Sequence, residues 1–146
     1  MNNALFIDVA NIIKIKSKQS FPIHREDWTI NQEVKDVIKK YTDLNFKVFL
    51  VGNHPNVSVR KREPNPIENL YESIAQSLEK DLKLKANSIS FDYCTDRESF
   101  DHLPLPGMFY NLAIEHEILL SFSFIITIAN IGEFIQTYSS VKPIIM

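Results

Sequence analysis

At 146 residues, with 45% hydrophobic and 23% charged side chains, the chain is long enough for one domain with a sizeable core and too short for an ordinary second one. A net charge of −2 excludes a general attraction to nucleic acid or to anionic membrane, and a single cysteine, Cys94, excludes an internal disulfide framework. The first strand-like run begins almost at the N-terminus, leaving no room for a signal peptide, and apolar stretches such as residues 121–128 fall short of the roughly 20 residues that span a bilayer. The expectation is a cytoplasmic chain with no membrane partner and no nucleic-acid partner.

Short apolar runs alternate with helical periodicity along the chain. Residues 5–8 read as a first strand and residues 47–52 (KVFLVG) as a second, each bounded by polar residues as in a doubly covered strand. Between them Val34, Val37, Ile38, Tyr41 and Leu44 recur at spacings of three and four, with Asn31 placed to cap an amphipathic helix. Pro66 suits the first turn of a second helix that carries Ile67, Leu70, Ile74, Leu78 and Leu82 on one face. A third strand follows over 88–93, then a proline-punctuated loop over 101–107, a helix over 108–117, a strand over 122–128 and a terminal strand over 141–146. Pro143 confines that last strand to a sheet edge.

This alternation predicts an α/β chain: a three-layer, Rossmann-like domain over residues 1–146, with a mostly parallel sheet of about five strands and helices on both faces. Residues 11–30 show no clear period, and a long connection beside a strand end either covers a site or is a plain surface loop. Sheets of this class bind ligands at the carboxyl ends of their strands, so the residues there carry the functional reading. The first strand ends in Asp8, a common way to present a nucleophile or metal ligand. Two residues on, where a partner carboxylate would serve acid–base chemistry, stands Ala10.

In order and spacing, these strand ends resemble the haloacid dehalogenase (HAD) superfamily, and within it the small capless phosphatases similar to histidinol-phosphate and heptose-bisphosphate phosphatases. Ala4 to Asn11 resembles the hydrophobic strand followed by Asp-x-Asp-Gly, with Asp8 at the nucleophile position. Arg25-Glu26-Asp27-Trp28 followed by Val34 is similar to the acidic-aromatic lead-in to the first helix. Leu44 to His54 resembles Leu-Gly-Tyr-Lys and a strand ending in Thr-Asn-Gln, with Gly52 at the hydroxyl position and Asn53 retained. Pro104-Leu105-Pro106-Gly107-Met108 resembles Lys-Pro-x-Pro-Gly-Met, with Leu103 at the lysine. Ile126 to Glu133 resembles a strand ending in Gly-Asp-x-x-x-Asp, with Ala129 and Glu133 in place of the two acids.

The resemblance implies an aspartyl-phosphate chemistry in which Asp8 attacks phosphorus and a second carboxylate moves the proton. Ala10 cannot do so, and general acid–base catalysis is typically worth about 10²–10⁴ in rate. Gly52 and Leu103 each remove a group acting on transition-state charge, commonly worth about 10²–10³ apiece. For a metal, the implied ligands are Asp8 and Glu133, so either no cofactor or weakly held Mg²⁺ is expected. The family's zinc loop needs further cysteines and a histidine, whereas Tyr93-Cys94-Thr95-Asp96 keeps one cysteine, so no zinc is expected. His102 is a candidate substitute for the missing charge, and Asn53 and Gly52 are candidate ligand contacts. Arg60, Lys61 and Arg62 either attract an anion or form a solvated face.

Three readings stay open. The first is a catalytically degenerate phosphatase-fold protein that binds a phosphate-bearing small molecule or regulates a partner. The second is an active Mg²⁺-dependent phosphohydrolase on a small sugar phosphate. The third is an interaction module acting as a homo-oligomer or with a protein partner.

Overall fold

The computed structural model describes residues 1–15, 28–55 and 66–146. The basic run Arg60 to Arg62, Arg25 to Asp27 and most of the aperiodic 11–30 segment lie outside them. The elements are β1 (Ala4–Asp8), α1 (Val9–Ile12), β2 (Lys14–Ile15), β3 (Trp28–Thr29), α2 (Gln32–Asp43), β4 (Lys47–Val51), α3 (Pro66–Asp81), β5 (Ile89–Phe91), α4 (Gly107–His116), β6 (Phe124–Thr127), α5 (Ala129–Ser139) and β7 (Lys142–Ile145). A 3₁₀ turn over Leu120–Phe122 precedes β6.

Five strands form one parallel sheet in the order β5-β4-β1-β6-β7. The expected α/β, mostly parallel architecture is thus present, and β7 with Pro143 lies at an edge. β1 sits centrally because all five of its residues are apolar or shielded, a pattern suited to cover on both faces. Alternation sorts its side chains. Leu5 and Ile7 join Val34 and Ile38 of α2 and Ile67, Leu70, Tyr71, Ile74 and Leu78 of α3. Ala4 and Phe6 join Met108, Phe109 and Leu112 of α4 and Ile135 of α5. Phe6 meets Phe109 edge-on at 4.9 Å between ring centres, the favoured geometry for aromatic quadrupoles.

The chain winds from β1 toward β4 and β5, then crosses back to lay β6 on the other side of β1. The strand order therefore reverses at β1, and such a switch point opens a crevice at the carboxyl ends of the flanking strands. Asp8 lies at that point.

Several local expectations differ from the structure. Asn31 occupies the cap position of α2 without a side-chain capping bond, while Gln32 bonds Asp36 one turn on. Leu44 is 60% exposed, because α2 ends at Asp43 and the chain turns away from the core there. Helix α5 follows β6 at once and was not anticipated, nor were the α1 turn and the β2–β3 hairpin. Gly132 lets α5 lie close over β7, since a Cβ there would stand 2.9 Å from the Pro143 ring. Among the described residues no helix is long and apolar enough to cross a membrane.

Candidate functional site

Because β1 passes directly into one helical turn, residue 11 returns over residue 8. Asn11 Nδ2 donates to Asp8 Oδ2 at 2.7 Å, and from the adjacent end of β6 Thr127 Oγ1 donates to the same oxygen at 2.8 Å. Asp8 is only 1% exposed, and its other oxygen, Oδ1, is buried with no hydrogen-bond partner. Burial pushes the Asp8 carboxyl above the ordinary carboxylate range, with the bonds from Asn11 and Thr127 opposing that shift. Oδ2 is therefore held by two side-chain donors, the Asn11 backbone N–H also stabilises the carboxylate, and Oδ1 makes no hydrogen bond of its own.

At the end of β4, Gly52 and His54 pair with Cys94, through Cys94 N–H to Gly52 O at 3.0 Å and His54 N–H to Cys94 O at 2.8 Å. This extends the β4–β5 register past the strands and buries the cysteine, whose thiol donates to Asp96 O at 3.2 Å. Beside Gly52 stands the hydroxyl of Tyr71, from α3, in a 2.7 Å hydrogen bond with His54 Nε2. A Cβ at residue 52 would lie 2.5 Å from that hydroxyl and 3.3 Å from both Ala10 N and His54 Nε2. Burial lowers the His54 pKa to about 4, so the ring is neutral at pH 7. Burial first, then the charges of Asp8 and Asp92 and the neighbouring Tyr93, raise Tyr71 well above its ordinary value.

Asn53 holds the 101–107 loop with both ends of its amide: Nδ2 donates to Leu103 O and Leu103 N–H donates to Oδ1, each at 2.9 Å. Both ends of the amide expected to contact a ligand are thus used on the loop. Leu103 is buried beneath, and the Gly107 amide closes the loop onto Phe100 O at 3.0 Å. Asn53→Ala leaves the Leu103 N–H and C=O without partners and costs about 2–3 kcal/mol of stability. Urea denaturation reads this directly, and a loss below about 0.5 kcal/mol would show that the clamp is not needed.

His102 is half-buried in this loop, its Nδ1 enclosed without a partner. Ala10 and Ala129 are exposed at the starts of α1 and α5, and Glu133 is exposed one turn into α5. Asp92, just past β5, is held above the ordinary range by burial and by Asp101 and Glu115, against a bond from Tyr93 N–H.

Among the described residues no three His, Cys, Asp or Glu side chains cluster as a metal site. The orphaned Asp8 Oδ1 is nonetheless a hard oxygen donor of the kind Mg²⁺ takes, and Mg²⁺ is often held by one or two carboxylates completed by substrate phosphate and water. One carboxylate oxygen is at most part of such a ligand set. Tyr71, His54 and Thr127 were missed as site residues. Tyr71 is four residues after Ile67 and three before Ile74, so its place on the inward face of α3 was readable. Its proximity to Gly52 was not.

No family model matches the chain. A D-glycero-beta-D-manno-heptose-1,7-bisphosphate 7-phosphatase of Helicobacter pylori is 27% identical over 126 residues, spanning 86% of this chain and 71% of the relative. The same enzyme of a second strain is 26% identical over equal length. Among solved structures, a HAD-like phosphatase of Mesorhizobium loti superposes with a TM-score of 0.74 at 12% identity, covering 96% of this chain and 69% of the other. A D,D-heptose 1.7-bisphosphate phosphatase of B. bronchiseptica, complexed with magnesium and phosphate, gives 0.70 at 13% identity, covering 98% and 79%. At these identities the structures show a shared fold, that of HAD-like phosphatases, and the sequence likeness is to heptose-bisphosphate phosphatases.

Proposed function

We propose that this protein binds a phosphate-bearing small molecule at the Asp8 end of its sheet and hydrolyses it slowly or not at all. The observation that carries the reading is Asp8 Oδ1. It is a buried carboxylate oxygen without a partner at the switch point of a parallel sheet, in a residue whose other oxygen is fixed by two donors. An unsatisfied buried acceptor costs about 1–3 kcal/mol, which a protein tolerates where a ligand or ion completes the group. The likeness to heptose-bisphosphate phosphatases and to a fold solved with phosphate supports phosphate as the chemistry recognised. Slow turnover follows from Ala10, which supplies no proton, and from a nucleophile whose ionisation is opposed by burial.

The test is a pair of measurements on the full chain with Mg²⁺. Inorganic phosphate is expected to bind at millimolar concentration or better, and hydrolysis of sugar-phosphate esters to stay below about 0.01 s⁻¹, some 10³ under the usual enzyme median. Asp8→Asn abolishes whatever turnover exists. Absence of phosphate binding would overturn the reading. Ordinary turnover that vanishes in Asp8→Asn would favour the second reading, an active phosphohydrolase, for which Glu133 and His102 are the candidate helpers and which the likeness to phosphatases supports.

A further inference from the structure

We infer that the Tyr71 hydroxyl is a ligand-contacting donor of the Asp8 site, presented by α3 to the end of β4 through the space left by the absent side chain of Gly52. This rests on the reading that a phosphate-bearing molecule binds beside Asp8. One hydrogen bond and the space at Gly52 place the hydroxyl. It stands 2.5 Å from where a Cβ of residue 52 would be, so any larger residue there and the tyrosine exclude each other. It is hydrogen-bonded to His54 Nε2 at 2.7 Å. The Ala10 amide nitrogen lies 3.3 Å from that same Cβ position, so the hydroxyl and the amide border the same point at the strand ends.

The ring is 0% exposed and held edge-on by Phe91 at 5.4 Å and Tyr93 at 5.8 Å, which fixes the oxygen. A preorganised donor of this kind needs no reordering when an anion arrives. A phenol has one proton and two acceptor lone pairs, and a neutral imidazole carries its proton on either nitrogen. With the proton on His54 Nε2, the ring donates to the Tyr71 oxygen and leaves the phenol proton for a second acceptor. An anion's oxygen at the Asp8 end is such an acceptor. The elevated pKa of Tyr71 keeps that proton in place across the physiological range.

Inorganic phosphate, titrated calorimetrically into the full chain with Mg²⁺ present, tests the inference. Tyr71→Phe keeps the ring and removes the hydroxyl, and is expected to weaken phosphate binding about 10- to 100-fold, the usual worth of a bond to a charged group. Gly52→Ser added to Tyr71→Phe places a new hydroxyl where the phenol oxygen was, within reach of His54 Nε2, and is expected to restore affinity to within about threefold of the wild type. Thermal melts confirm that each variant is folded. Unchanged binding in Tyr71→Phe while Asp8→Asn alters it leaves the phosphate reading standing and overturns this inference. Weakening that Gly52→Ser does not relieve assigns the hydroxyl a structural role and also overturns it. Failure of the wild type to bind phosphate removes both.

Discussion

Gly52→Thr is expected to destabilise the protein by about 2–3 kcal/mol and to restore no hydrolysis, even when combined with Ala10→Asp, Leu103→Lys and Ala129→Asp. From the sequence, these four changes read as the restoration of a damaged site, but two of the four positions are occupied. A side chain at 52 begins 2.5 Å from the Tyr71 oxygen, and the buried tyrosine is hemmed by Phe91, Tyr93 and His54. Overpacking of this kind typically costs about 1–3 kcal/mol, and displacing the phenol also breaks its bond to His54. Leu103 is buried and its backbone is clamped by Asn53, so a lysine there loses apolar burial and brings a charge into the core. Chemical denaturation of Gly52→Thr with and without Tyr71→Phe separates the terms, and the double variant is expected to recover most of the loss. A Gly52→Thr protein as stable as the wild type would show that Tyr71 yields freely.

The second large effect is in the pH dependence of stability. His54 is neutral in the folded protein down to about pH 4, whereas an unfolded histidine takes up a proton near 6.5. Between those values the unfolded chain binds the extra proton, so stability falls as the pH is lowered from 7 to 4, by up to about 3 kcal/mol for this residue. Asp8 and Asp92 act in the opposite sense. Their folded pKa values are raised, so the folded state gains protons first and acid favours it, over a window above the ordinary aspartate value of 3.8. The His54 contribution is therefore a loss toward pH 4 set against a gain from the two aspartates, and His54→Asn is expected to remove the loss and turn the slope in the acid-favouring sense. Urea denaturation at intervals from pH 7 to 4 measures both. A slope unchanged by His54→Asn would place the acid sensitivity elsewhere.

The sheet was legible because its strands are short apolar runs between polar boundaries, and burial on both faces leaves such a mark whatever the loops do. Helix α3 was legible from the spacing of Ile67, Leu70, Ile74 and Leu78. Helix α5 was not, because exposed Phe134 and Tyr138 interrupt the period set by Ile131 and Ile135 and blur which face is apolar. The Asp8 position was readable as a strand-end carboxylate, and its protonation bias was not, since that depends on burial by residues more than a hundred positions away. Gly52 is the sharpest case. A missing side chain is visible in a sequence, but what fills its place is a tertiary fact, and here it is a hydroxyl from another helix.

The position of β1 between β4 and β6 also sets the order in which the protein can be built. β1 meets β4 across about forty residues of chain, but Leu5 meets Phe124 only when nearly all of it is available. Until then the future centre of the sheet is an open edge of apolar backbone, the kind of surface that pairs with other chains. Thr127, which fixes one oxygen of Asp8, arrives with that same late strand. The closing of the sheet and the completion of the carboxylate's surroundings are one event.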